Sequence, residues 1–484
     1  MMEYIFNLEL FPEDSKKHIP IYFDVPEGAK EIIIGNILEP RALSLEESIK
    51  LAKNAIAIYL NQGDYPLNIK DIPEKIINEV IKEFIPIRNL INFRIFDPYG
   101  NFRGTGDNRF SKGIPIKIGE NTSSLGCIEG PIYPGRWRIV IETHAIVKKC
   151  LLNLKININK NESDDIPEIF KGYTPVVKEN INKKGWVAGD FHLHSNHSDG
   201  ILSLEELIKK SIDRGLDFIF LTDHNKISGY QKIKNENYKV FCGIEFTTFW
   251  GHFTSFGIKE YIEWDIIDPI NGIKKVSELI HSQGGIFCIA HPFTIGDPIC
   301  TGCKCLLKID WEYVDAMEIW SGPFNKRIYE NTESLKLWRE ILNSGYKITG
   351  IGGSDMHTPS DITRDSPITY IYVDNLDLEN ILKSLREERV YITRGPKISF
   401  SINDANIGER VQINENEIIN LKYTCEDTLD LKVYYNGKIM MEIPKTSLGN
   451  IEFKVKDKGY IYLEFWKGKE LYVITNPIFI SLKQ

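Results

Sequence analysis

The sequence predicts a multidomain protein in which a central β/α domain lies between two β-sandwich-like domains. Three observations predict it. The chain has 484 residues, enough for two to four domains. Strand-like runs fill its first and last parts, whereas apolar strands alternate with amphipathic helices between them. Histidines and carboxylates gather at the carboxyl ends of the middle strands, where β/α folds build their sites.

Residues 1–184 are read as a β-sandwich-like domain with a helical insertion. YIFNLEL, IPIYFDV, KEIIIGNIL, INFRIFD and RWRIVIETHAIVKKCLLNLKINI are rich in β-branched and aromatic residues. DPYGNFRG and GPIYPGRW read as turns. A capping signal from Ser44 to Glu47 opens one expected helix, and Pro73 stands near the start of a second. The polar stretch NKNESDDIPEIFKGYTPVVKENINKKG reads as a linker.

Residues 185–396 carry the β/α pattern. The expected strands are WVAGDFHLH, LDFIFLTDH, YKVFCGIEF, HFTSFGI, GIFCIAH, DAMEIW and KITGIGGSD. The helices SLEELIKKSIDRG, VSELIHSQGG and SLKLWREILNSG each stop at or near glycine. Residues 397–484 return to strands joined in part by NG and KG turns, a small β-domain read as another sandwich.

Lys plus Arg number 59 and Asp plus Glu 67, a net charge of −8. This balance gives no global attraction for nucleic acid or an anionic membrane. No apolar stretch approaches a membrane span, and the acids in MMEYIFNLELFPEDSKK do not fit a signal peptide. The expectation is a cytoplasmic protein without a membrane partner; oligomeric state is not legible. Cys300, Cys303 and Cys305 form a C-x-x-C-x-C spacing that suits either a metal or a disulfide.

Six of the ten histidines, with two aspartates and one glutamate, sit at the ends of short apolar runs in the middle of the chain. His192 and His194 alternate on one strand, so both can face one ion. Asp199 follows in a turn closed by Gly200. His224, Glu245 and His291 end apolar strands, Asp355 and His357 follow GIGGS, and His252 opens its strand instead. Histidine and carboxylate are common ligands of zinc, manganese and iron, and the mixed set suits all three. Isolated histidines would not select strand ends beside carboxylates, so one centre with more than one divalent ion is expected. His18, His144 and His281 fall outside the pattern. His197 lies near it, as a pocket or loop residue.

HLHSNHSDG, LTDHN, GIEFTT, IAHPF and GSDMH resemble the successive motifs of the polymerase and histidinol phosphatase (PHP) superfamily. The resemblance covers about Gly185 to Pro396. GHFTSFGI, YITRGP and ITNPIFI, with a sandwich before the catalytic domain, resemble its carbaryl-hydrolase-like branch. The resemblance implies a distorted (β/α)7 barrel with two or three divalent metal ions. It implies a first ion on His192, His194, Glu245 and Asp355. Glu245 would bridge to a second ion on His252 and His291. Asp199, His224 and His357 would hold a third, with Asp199 standing where some relatives have His.

The expected activity is metal-dependent hydrolysis of a small anionic ester, through a water acidified between adjacent ions. A phosphate ester or nucleotide is the first expectation and a carbamate or carboxyl ester the second. A binding or scaffold protein with a vestigial metal centre is a third reading, of a different class. Arg364 and Arg394 are candidates for gripping the substrate, because guanidinium matches phosphate oxygens in a fork. Asp223, beside His224, is a candidate for orienting a ligand or a water. Asn225 is read as a substrate contact or a turn cap.

Overall fold

A computed structural model describes residues 2–60, 77–78, 81–82, 84–107, 115–163, 183–231, 238–361 and 363–483. Pro73, most of the second expected helix and most of the expected linker lie outside them.

Among the described residues, the N-terminal segment holds eight strands: β1 Met2–Leu10, β2 His18–Val25, β3 Glu31–Glu39, β4 Leu90–Phe96, β5 Phe102–Asp107, β6 Ile116–Gly119, β7 Gly135–Ala145 and β8 Cys150–Asn159. They form two four-stranded sheets, ordered β1-β8-β3-β6 and β2-β7-β4-β5. In CLLNLKININ of β8, every second side chain is buried, the period expected of a strand with one face on a core. Ile32, Ile34, Leu154 and Ile156 meet Phe93, Trp137 and Ile139 in that core. Each such buried side chain stabilises the fold by roughly 1.5–3 kcal/mol. Helix α1, Leu45–Leu60, is inserted between β3 and β4. The expected capping box forms: Ser44 N–H donates to Glu47 Oε2 at 2.9 Å, and Glu47 N–H to Ser44 Oγ at 3.2 Å.

The middle segment contains β9 Gly185–Asp190, β10 Phe218–Leu221, β11 Lys239–Thr247, β12 His252–Phe256, β13 Ile286–Ile289, β14 Ala316–Ser321, β15 Thr349–Gly353, β16 Ile368–Val373 and β17 Val390–Thr393. Its helices are α2 Leu204–Asp213, α3 Ser228–Gln231, α4 Lys274–Ser282, α5 Ile328–Asn343 and α6 Leu378–Arg386. β10 runs parallel to β9 and β11, and β14 runs parallel to β13 and β15. The run β11-β12-β13 is antiparallel instead. The turn between Thr247 and His252 is too short for a parallel crossover, which needs a dozen residues or more. Phe191, Phe218, Phe220, Phe256 and Ile351 fill the space between these strands.

The C-terminal segment has β18 Ile398–Ile402, β19 Ala405–Asn406, β20 Arg410–Ile413, β21 Ile418–Tyr435, β22 Lys438–Lys454, β23 Gly459–Lys467, β24 Glu470–Thr475 and β25 Ile478–Leu482. Asn436 and Gly437 join β21 to β22, with φ of 49° and 71°. Two left-handed residues make the two-residue hairpin turn that an Asn-Gly pair favours.

The three segments are joined by specific contacts. β24 pairs with β17, so the ladder crosses the expected boundary at 396/397. Asn476 accepts the Gly350 N–H at 2.8 Å and donates to the Gly350 carbonyl at 2.8 Å and the Val390 carbonyl at 3.1 Å. On the other side, fully buried Arg94 of β4 pairs with Glu142 and lies 3.4 Å from Glu263 and 3.5 Å from Asp265. Phe102 stacks on Tyr261 with ring centres 3.8 Å apart. No described helix is long and apolar enough to cross a membrane.

Candidate metal centre

Backbone pairing brings the motif pieces together two by two. Leu193 and Met356 form a parallel bridge; His194 N–H donates to the Met356 carbonyl at 3.0 Å and Asp355 N–H to the His192 carbonyl at 2.9 Å. The H-x-H piece is thereby fixed against the piece carrying Asp355 and His357. His224 and Glu245 form a second bridge, and Ala290 N–H donates to the His252 carbonyl at 3.2 Å. Gly353 permits the first contact. A Cβ there would lie 2.5 Å from His192 Cβ and 2.6 Å from Glu318 Oε1. His291 and Asp355 have φ of 24° and 51°, left-handed values uncommon outside glycine and typical of functional sites.

All nine expected residues converge. Four overlapping groups have ligand atoms within 4.8 Å of one another. They are His192–His194–Glu245, His192–His291–Asp355, Glu245–His252–His291, and His194–Asp199–His224–His357. Glu245 is at the centre. Its Oε1 lies 2.9 Å from His252 Nδ1 and 3.1 Å from His291 Nε2. Its Oε2 lies 3.2 Å from His192 Nε2, 3.3 Å from His194 Nε2 and 2.9 Å from His224 Nδ1. Asp199 Oδ1 lies 3.2 Å from His224 Nε2 and 3.3 Å from His357 Nε2. His194 thus adjoins Asp199, His224 and His357 as well as Glu245, a sharing the sequence did not reveal.

The electrostatics suit cations. Burial opposes ionisation of Glu245, but His224, His192 and His252 hold its carboxyl well below the usual range. Burial likewise opposes the charge on Asp355, yet Arg327 and His192 keep it well below. Burial, with His357 and His224 nearby, lowers His194 to about 3, and burial lowers His252 to about 4. Those two rings are neutral near pH 7, the state in which imidazole binds metal. Burial disfavours charge on His224 too, but Asp199 and Glu245 raise it to about 10. Both ring nitrogens of His194, Nε2 of His192 and of His252, and Oε2 of Glu245 are buried without a hydrogen-bond partner. Native proteins seldom leave such atoms unpaired, so this donor set fits divalent metal ions.

Two contributors were missed in the sequence. Buried Glu318 of β14 lies 2.7 Å from His192 Nδ1 and accepts the His291 N–H at 2.9 Å. A carboxylate inside the apolar run AMEIW was a readable signal. Arg327 Nη1 donates to Asp355 Oδ2 and to Ser321 Oγ, both at 2.9 Å, and carried no sequence signal. The centre opens into a cavity of about 550 Å³, with Arg88, Lys326 and Arg327 in its lining.

Other expected residues are placed differently. Arg364 is exposed, and Arg394 pairs with Asp365 and with Glu470 at 2.6 Å while covering the Tyr472 ring. Neither lines the cavity. Asp223 accepts from Ser195 N–H at 2.8 Å, Ser195 Oγ at 2.7 Å and Ser198 Oγ at 2.7 Å, so it holds the loop between His194 and Asp199. Asn225 bonds the Thr247 backbone in both directions, at 2.9 and 3.0 Å. His281 pairs with Asp315 at 2.7 Å on the surface. Cys300 and Cys303 form a disulfide that lines the cavity, and Cys305 is a free thiol.

Residues 190–398 match the PHP domain model, which places this part of the chain in the PHP superfamily. The match and the His/carboxylate groups together support a metal-dependent hydrolase. The chain is similar to an uncharacterized protein of Methanocaldococcus jannaschii, 24% identical over 175 residues, which are 33% of this chain and 96% of that protein. A 65-residue stretch is 34% identical to a 5'-3' exoribonuclease of Haemophilus influenzae, covering 13% of this chain and 24% of that enzyme. Among solved structures it is similar to a two-domain protein from Bacteroides vulgatus containing a predicted PHP-like metal-dependent phosphoesterase. That likeness has 16% identity and a TM-score of 0.35, over 64% of this chain and all of the other.

Proposed function

We propose that the protein is a metal-dependent phosphoesterase acting on a small phosphate ester or nucleotide. The observation that carries this reading is the sharing of Glu245 among adjacent ligand groups at the floor of a cavity with cationic residues in its lining. In this reading His192, His194, Glu245 and Asp355 hold one ion, Glu245, His252 and His291 a second, and Asp199, His224 and His357 a third. Zinc, manganese and iron all suit the set. Divalent ions there supply Lewis acidity and lower the pKa of a water.

The chain's own residues do the rest. Glu245 holds the groups together, and Glu318 orients His192. Arg327, anchored by Asp355, offers its guanidinium to substrate oxygens, a role the sequence had given to Arg364 and Arg394. The same reading takes 185–396 as a distorted (β/α)7 barrel between domains at 1–184 and 397–484, in a cytoplasmic protein.

A carbamate or carboxyl ester is the second reading, favoured by the apolar part of the cavity lining, which includes Ile85, Ile87, Leu90 and Ile299. The complete set of nine ligands speaks against a vestigial centre. The test is hydrolysis of aryl phosphates, phosphodiesters, a short RNA and aryl carbamates by metal-loaded and chelated protein. Metal-dependent turnover of a phosphate ester is expected. Turnover of carbamates alone would replace the first reading with the second, and turnover of none would favour a binding protein.

A further inference from the structure

Residues 292–306, directly after His291, form a strap that closes on itself and on the turn in front of His252. Cys305 N–H donates to the Pro292 carbonyl at 3.1 Å, and Leu306 N–H to the Trp250 carbonyl at 2.7 Å. Gly302 lies against the same turn. Its φ is 80°, and a Cβ there would collide with the Thr248 carbonyl oxygen and stand 3.6 Å from His252 Nε2. Only glycine combines that conformation with so close an approach to backbone. Elsewhere the strap is tied to the N-terminal segment. Asp297 pairs with Lys16 at 2.7 Å, and Ile295 and Ile299 pack on a cluster that includes Ala52 and Ile56 of α1.

The Cys300–Cys303 disulfide closes this strap around Gly302. Thr301 and Gly302 are all that lies between the two cysteines. A bridge over so short a loop constrains the unfolded chain least, so general stability is a small part of what it does. What it fixes is local: the backbone of Thr301 and Gly302, and with it the contact on the turn that leads into His252. Both cysteines line the cavity beside the metal cluster. Cys303 is buried, whereas Cys300 is partly exposed, so Cys300 is the sulfur more open to an attacking thiolate.

We propose that this disulfide is a redox switch on the strap: oxidised, it holds Gly302 against the turn at Thr248 and steadies the ligands His252 and His291; reduced, it releases them. The proposal rests on the reading of those two histidines as metal ligands. Reduction requires a dithiol. One of its thiolates attacks Cys300 Sγ, the Cys300–Cys303 bond breaks, and Cys303 leaves as a thiolate that takes up a proton. The dithiol's second thiolate then displaces Cys300, which is protonated in turn, and closes the dithiol's own disulfide. Two electrons and two protons pass in all from the dithiol to the cysteine pair. Glycine has more backbone freedom to regain than any other residue, so Gly302 leaves its place readily once the bridge is open.

The test compares the oxidised full chain with the chain reduced by dithiothreitol and then freed of it under argon. Thiol titration in denaturant should count six thiols in the first and eight in the second. In metal-free protein, hydrogen exchange over residues 292–306 should quicken about tenfold on reduction, a local loosening rather than global unfolding. Manganese is the probe because thiolates bind it poorly. The reduced chain should hold it about tenfold or more weakly, the usual effect of losing a ligand's support. Cys300→Ser with Cys303→Ser should behave as the reduced chain under either treatment, whereas Cys305→Ser should keep the response. The unsubstituted chain decides the question alone should the double variant fail to fold. Eight thiols before reduction, six after it, or unchanged exchange would overturn the switch. Equal manganese affinity in the two states would overturn it too and leave the metal centre standing. Quickened exchange with no manganese bound in either state removes the metal reading and leaves a redox-responsive strap.

Discussion

Glu318 Oε1 lies 2.7 Å from Nδ1 of His192, and the other carboxylate oxygen accepts the backbone N–H of His291 at 2.9 Å. One buried carboxylate therefore sets both the ring orientation of His192 and the backbone at His291. Glu318→Gln should weaken metal affinity by about 10–100-fold, the usual effect of losing such an orienting partner. Competition against a chromophoric chelator measures it. An unchanged affinity would show that His192 is oriented by packing alone.

Metal removal should lower the melting temperature, because the ions bind the folded cluster and not the unfolded chain. An ion present at 100 times its Kd contributes about 2.7 kcal/mol. His194 belongs to two of the candidate groups, which share no other residue, whereas His252 belongs to one. His194→Ala should therefore lose more metal per chain, and more of the melting shift, than His252→Ala. Elemental analysis beside thermal melts decides it; equal losses would count against the shared position of His194.

Arg327 and Arg394 should separate cleanly. Arg327→Met should raise KM for an aryl phosphate by about tenfold, since a charged hydrogen bond to the anion is lost. Arg394→Met should leave kcat/KM within about twofold and cost roughly 1 kcal/mol of stability, because its partners Asp365 and Glu470 are more than a third exposed. Steady-state kinetics and denaturant melts on both variants check the contrast. The reverse pattern would return the anion contact to Arg394.

Glu388 supplies a pH dependence outside the candidate metal groups. It is 2% exposed, and burial pushes its carboxyl up to about 7, while Lys347 and Arg410 pull the other way. Below its ordinary value of 4.5 both folded and unfolded chains hold the proton. Between 4.5 and 7 the unfolded chain releases it first, so this group lowers stability as pH rises, by about 3 kcal/mol in all. Glu388→Gln lacks that slope. It should match the unsubstituted protein at low pH and exceed it at pH above 7, as read from denaturant melts across the range. Parallel stability curves would refute the shift.

The cluster of candidate ligands was legible because its chemistry is written in local spacing. His192 and His194 share a strand face, and His224, Glu245 and His291 each close an apolar run. What fixes those ligands was less legible. Glu318 is one acid within a strand, visible only as an oddity of polarity. Arg327 opens a helix with no motif around it, whereas Arg364 and Arg394 stand nearer to recognisable pieces. The antiparallel pairing of β11 with β12 follows from a short turn, which a pattern of alternating strands and helices does not display.

The bonds from Asn476 to Gly350 connect positions 126 residues apart. Gly350 belongs to the strand that delivers Asp355 and His357. A ribosome releases all nine ligands before it releases the asparagine that fastens this strand. The nascent protein thus passes through a stage with every ligand present and one of their supports still inside the exit tunnel. Completion of the candidate centre therefore waits on a residue made well after the last of its side chains, and Asn476→Ala should loosen it from a distance.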